Sequence, residues 1–129
     1  MEIFEEDLLF ARAGAEIPAQ SLPALSLDSH LIKRSESTFF MRAGSGALSG
    51  FGILKGDILV VDRALDAADG AIVVAYTKKG FIARKYSING GQIELVSGNP
   101  DFKTLKVCDV SKLRIFGVVT AVARQIVSI

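Results

Sequence analysis

The chain has 129 residues, of which half are apolar and 22% charged, enough to bury one core and against disorder or a fibrous repeat. Fifteen basic residues against fourteen acidic ones leave a formal charge of +1, which supplies no drive toward a phosphate backbone, so direct nucleic-acid binding is disfavoured. An acidic start, Met1-Glu2-Ile3-Phe4-Glu5-Glu6-Asp7, and the lack of a long apolar run argue against a secretory signal or a membrane span. A cytoplasmic location is expected.

Residues 1–37 contain Pro18, Pro23 and the single histidine, His30, and show no sustained period of 2 or 3.6, so they are expected to form an N-terminal arm. Glu5–Arg12 can make a helical turn or two, but an isolated helix that short is marginal in water, and order in the arm must come from docking. Residues 38–129 are expected to form one β domain. Short runs rich in Val, Ile and Phe predict strands over Thr38–Ala43, Ile58–Asp62, Ala71–Thr77, Phe81–Tyr86, Gln92–Val96, Thr104–Val107 and Leu113–Ala123. Between them stand Asp69-Gly70, Lys78-Lys79-Gly80, Asn89-Gly90-Gly91 and Gly98-Asn99-Pro100-Asp101, the residues that permit tight reversals. The Gly-rich segment Gly44–Gly52 predicts a loop with at most one helical turn.

Two further expectations follow from the strand pattern. Leu113–Ala123 is long and apolar, and leaving it exposed would invite edge pairing, so a symmetric homodimer burying part of it is expected. Cys108 is the single cysteine, which rules out an internal disulfide; its strand-like apolar setting predicts a buried structural thiol.

One stretch carries more specific information. Met41-Arg42-Ala43-Gly44-Ser45-Gly46-Ala47-Leu48 is followed by Gly56-Asp57-Ile58-Leu59-Val60-Val61-Asp62. Next come Asp69-Gly70-Ala71-Ile72-Val73-Val74-Ala75 and Phe81-Ile82-Ala83-Arg84-Lys85, then Ser97-Gly98-Asn99-Pro100-Asp101-Phe102 and Ile115-Phe116-Gly117-Val118-Val119. In this order the blocks resemble the UmuD-like and LexA-like self-cleaving peptidase domain of the S24 family. The resemblance implies a mostly β fold of curled antiparallel sheets with an extended N-terminal arm. It places the family's catalytic serine at Ala47, ten residues before Asp57, and its catalytic lysine at Arg84. It also implies a cleavage site at Ala13-Gly14, with Gly14 standing 33 residues before Ala47.

The chemistry of such a centre is demanding. A serine hydroxyl attacks a peptide carbonyl only if a base takes its proton, and a lysine serves when burial lowers its pKa. Ala47 offers a methyl group, and the guanidinium of Arg84 stays protonated in a protein. Neighbouring Lys85 should aim away from residue 47, because adjacent strand residues face opposite sides of the sheet. Ser45 and Ser49 would need a two-residue shift of an otherwise gap-free register. Asp57, Asp62, Asp69 and His30 form no metal or triad pattern, and no cofactor is expected.

A short arm followed directly by the β domain matches the UmuD arrangement. The resemblance therefore implies an accessory subunit of an error-prone translesion DNA polymerase in the bacterial SOS response. Its partners would be a second copy of the chain and a UmuC-like polymerase subunit, and its peptidase site would be inactive. Two alternatives stay open: an active self-cleaving peptidase whose serine was changed to alanine for study, and the dimerisation half of a truncated LexA-like or phage repressor. A full repressor needs a DNA-reading domain ahead of this fold, for which residues 1–37 are too few.

Overall fold

The computed structural model describes residues 26–127. The cleavage site expected at Ala13 and Gly14, the short helix expected over Glu5–Arg12, and Pro18 and Pro23 lie outside the described residues. The chain parts into two units, residues 1–30 and 31–129. A single helical turn, α1 (Leu27–Leu31), buries no side chain, and the Ser26 hydroxyl accepts the Ser29 N–H at its start. His30 is exposed on it.

Seven strands follow: β1 (Thr38–Arg42), β2 (Ile58–Asp62), β3 (Ile72–Thr77), β4 (Gly80–Asn89), β5 (Gln92–Val96), β6 (Leu105–Val107) and β7 (Ile115–Ala123). The domain is thus mostly β, and every strand pair is antiparallel. The strands join in one continuous sheet of order β1-β2-β7-β3-β4-β5-β6. Its register steps between Val60 and Val61, where β2 meets β7, and between Val74 and Ala75, where β3 meets β7. Such bulges increase the local twist of a sheet. Between β4 and β5, Gly90 and Gly91 both take positive φ, 59° and 80°, the backbone that a two-residue turn needs to match the strand twist.

Strands β2 and β3 read as nearly unbroken runs of branched apolar residues, the pattern of strands covered on both faces. Leu59, Val61 and Val74 pack on one side with Leu48 and Ile53. Val73 and Ala75 pack on the other with Leu95 and Val118. Val61 and Val73 are wholly buried, and each such side chain contributes roughly 1.5–3 kcal/mol, so stability concentrates where β2, β7 and β3 meet.

One expectation is corrected here. Cys108 is exposed, because β6 is the outermost strand on its side and ends at Val107, leaving the thiol in the bend beyond it. Strand β7 is paired along its whole length: Ile115–Val118 pairs with β3 on one side, and Val118 onward pairs with β2 on the other. Only its second half keeps outward-facing residues, with Thr120, Val122 and Ala123 exposed. Among the described residues no helix is long and apolar enough to cross a membrane.

Candidate active centre

Ala47 sits on the loop joining β1 to β2. The base of this loop is closed by the Ala43 N–H donating to the Asp57 carbonyl (2.8 Å) and the Gly56 N–H donating to the Ala43 carbonyl (2.7 Å). A tight turn over Ser49–Phe51 forms its far side, held by the Phe51 N–H on the Leu48 carbonyl at 2.9 Å. Leu48 drives its side chain into the core, 3% exposed, which leaves its neighbour Ala47 little freedom, and Ala47 itself is 2% exposed.

The segment Ser97–Asn99 grips the loop from across the sheet. The Gly98 N–H donates to the Ala47 carbonyl at 2.7 Å, and the Gly50 N–H returns a bond to the Gly98 carbonyl at 2.9 Å. The Asn99 side-chain amide donates to the Gly46 carbonyl at 3.0 Å. Gly50 has no room for a side chain, because a Cβ there would overlap the Gly98 carbonyl oxygen. The Asn-containing turn noted in the sequence is therefore the clamp that sets the position of residue 47.

Arg84 lies on β4, opposite Val73 of β3. It borders the same cleft as Ala47, a space of about 450 Å³ whose other walls include Met41, Val74, Phe81 and Phe102. Its Nη1 donates to the Ala83 carbonyl at 2.8 Å, and its guanidinium carbon stands 5.7 Å from the centre of the Phe102 ring. Burial draws its pKa below the ordinary guanidinium value. An arginine still remains cationic at neutral pH. Lys85 does not border the cleft, but it does not aim away from the loop of residue 47 as expected: it pairs with Ile72, which packs on the Leu48 side of the sheet, and its ammonium lies 5.1 Å from the ring centre of Phe51 on that loop. Ser45 borders the cleft and accepts the Ala47 N–H at 3.3 Å, while Ser49 Oγ accepts from Asn99 at 3.4 Å. A methyl group and a guanidinium supply neither nucleophile nor base at those two positions.

Two carboxylates given no chemistry in the sequence turn out to fasten the two ends of β2. Asp57 is buried and takes both Nε and Nη2 of Arg124 at 2.6 Å, together with the Leu54 N–H at 2.8 Å. The hydrogen bonds from Arg124 hold its carboxyl down at about 2. Asp62 accepts the Ala64 N–H, the Ser37 hydroxyl (both 2.8 Å) and Arg34 Nη1 (2.9 Å), and its pKa is lowered, first by the Ala64 bond. Arg34 and Ser37 fall within the segment expected as arm, yet they bond into the sheet. No local signal marks either arginine, because each partner lies far along the chain.

Comparison with known proteins now bears on this loop and cleft. The profile described as Peptidase S24-like matches residues 7–120. The chain belongs to the S24-like peptidase family. It is a UmuD-like and LexA-like S24 domain by its relatives as well. It is 38% identical over 117 residues to Protein ImpA of Salmonella typhimurium, a match covering 88% of this chain and 79% of that one. Protein SamA of Salmonella typhimurium strain LT2 is 37% identical over 97 residues, 75% of this chain and 66% of SamA. A LexA repressor of Ralstonia nicotianae is 37% identical over 73 residues, 57% of this chain and 34% of the repressor. The S24 match runs from the N-terminal segment through most of β7, so it takes in both Ala47 and Arg84.

Proposed function

We propose that this UmuD-like chain is an accessory subunit of an error-prone translesion polymerase in the bacterial SOS response, acting as a homodimer with its peptidase centre inactive. The observation that carries the inactive centre is the pairing of a buried methyl, Ala47, with a guanidinium, Arg84, on one cleft of an S24-like domain. The match to ImpA over most of both chains supports the UmuD-like role, and the UmuC-like polymerase subunit is the partner that this role implies. The homodimer is supported by the exposed Val122, Ile126 and Val127, which gather at the end of β7 and just beyond.

The experiment restores both missing groups. Ala47→Ser alone leaves the hydroxyl without a base, and Arg84→Lys alone leaves a base without a hydroxyl, so each single variant should stay uncut. The double variant should cleave between Ala13 and Gly14, faster as pH rises and the introduced lysine loses its proton, with mass spectrometry finding a new N-terminus at Gly14. Cleavage by the unchanged chain, or by Ala47→Ser alone, refutes an inactive centre built on these two positions. Retention of the chain on an immobilised UmuC-like polymerase subunit tests the partner, and its absence refutes that assignment.

A further inference from the structure

The cleft beside Ala47 contains a cation for which the described residues supply no acid. The ion pairs among them are Arg34 with Asp62 and Arg124 with Asp57, and Arg84 belongs to neither. Its Nη1 is satisfied by the Ala83 carbonyl, while its Nε is closed off from solvent and has no hydrogen-bond partner. A guanidinium is a planar fork whose paired N–H groups match the two oxygens of a carboxylate. A buried donor left unmade is costly, so turning the fork toward an anion in the cleft would gain twice, in charge and in hydrogen bonding.

Apart from Ser45 and from Arg42, whose Nη1 is taken by the Gly56 carbonyl, the side chains around this cation are apolar. Met41, Phe81 and Phe102 face the space, and the nearly buried Ala47 borders it. A ligand that suits the cleft carries a negative group next to a small apolar one. The end of a peptide does this compactly, because its α-carboxylate sits directly on the main chain, so the last side chain and the charge reach the wall and Arg84 together. A glutamate side chain sets its carboxylate at the tip of a flexible stem and leaves the apolar wall unfilled.

We propose that this cleft is a receptor for a peptide ending in a free α-carboxylate after a small apolar residue, with Arg84 holding the carboxylate and Met41, Phe81 and Phe102 receiving the last side chain. The proposal rests on the reading that the centre does not cut. A hydroxyl and a base at positions 47 and 84 would generate such an end, whereas a methyl and a fixed cation retain it.

Calorimetric titration of the full chain tests this with three probes: acetyl-Leu-Phe-Ala as the free acid, the same peptide as its amide, and acetyl-Leu-Phe-Glu as its amide. The free acid should bind about tenfold more tightly than its amide, the discrimination expected of a charge-assisted pair in a partly dry cleft. Arg84→Gln should bring that ratio to about one, and Arg84→Lys, which keeps the charge without the fork, should retain part of it. Equal binding of acid and amide by the unchanged chain overturns the receptor, as does a preference that survives Arg84→Gln in a protein with unaltered thermal unfolding. A glutamate amide that binds as tightly as the free acid overturns the choice of a chain end. Mass spectrometry of the same mixtures separates the two readings: cut peptides remove the inactive centre, and intact peptides without a preference for the acid remove only the receptor.

Discussion

Replacing Gly50 with alanine tests the clamp on residue 47. A Cβ at Gly50 would overlap the Gly98 carbonyl oxygen and lie 3.1 Å from its carbonyl carbon, so the two backbones must part. The obstacle is main chain on both sides, which cannot swing away as a flexible side chain would. Overpacking of this kind costs roughly 1–3 kcal/mol. Parting also stretches the Gly50 N–H bond to Gly98 and the Gly98 N–H bond to Ala47, 2.9 and 2.7 Å. Each contributes about 1 kcal/mol. Allowing for partial relaxation, the expected loss is about 2–4 kcal/mol. At roughly 4–8 °C per kcal/mol for a domain of this size, the midpoint of thermal unfolding should fall by roughly 10–25 °C. Circular dichroism melting curves measure this directly. Gly44→Ala is the matched control, since nothing stands within 4 Å of a Cβ there, and it should melt within about 2 °C of the unchanged chain. A Gly50→Ala midpoint as little altered as the control would refute the clamp.

Two further outcomes follow from the acids and from β7. Asp57 is held at about 2 and Asp62 is lowered, so the folded chain takes up these protons less readily than the unfolded chain. Their stabilisation is therefore complete above the ordinary carboxyl range and is lost as pH falls from about 4 toward 2, which urea midpoints against pH should trace. Asp57→Asn should lower the neutral midpoint and flatten that acid limb; an equally steep limb would show that Asp57 does not cause it. In sedimentation velocity at tens of micromolar the unchanged chain should run as a dimer and Val122→Lys as a monomer, and a monomeric unchanged chain refutes the face at the end of β7.

Much of the sheet was legible because its strands are spelled by local signals. Runs such as Ile58-Leu59-Val60-Val61 and Ile72-Val73-Val74 need no partner to declare themselves, and the glycines at 70, 80, 90 and 91 all take positive φ where a reversal was expected. What stayed hidden is non-local. Nothing in the sequence shows that β7 enters between β2 and β3, with β3 beside Ile115–Val118 and β2 beside Val118–Ala123. Cys108 was misjudged for the same reason, since the apolar character of β6 says nothing of its place at the margin of the sheet. The pairing of Asp57 with Arg124, 67 residues apart, escaped notice because a Gly-Asp dipeptide reads equally well as an ordinary turn. Likewise, the rings of Phe39, Phe116, Phe81 and Tyr76 come from four strands to form one contiguous row, with centroids 4.7–5.5 Å apart. Ala47 and Arg84 were found through resemblance alone, and their shared cleft comes from the fold.

The insertion of β7 also bears on when such a centre can exist during synthesis. Leu59 on β2 and Val74 on β3 both reach the core beneath the cleft, yet the strand that joins β2 to β3 is Ile115–Ala123, translated after every other strand. A nascent chain that has emerged only as far as β6 contains both halves of the cleft with no strand between them. Domains dominated by distant strand pairings close late and slowly. In a relative with a working hydroxyl and base, this order of strands would act as a timer, withholding the cutting geometry until the last strand has left the ribosome and so protecting the arm of an unfinished chain from its own domain.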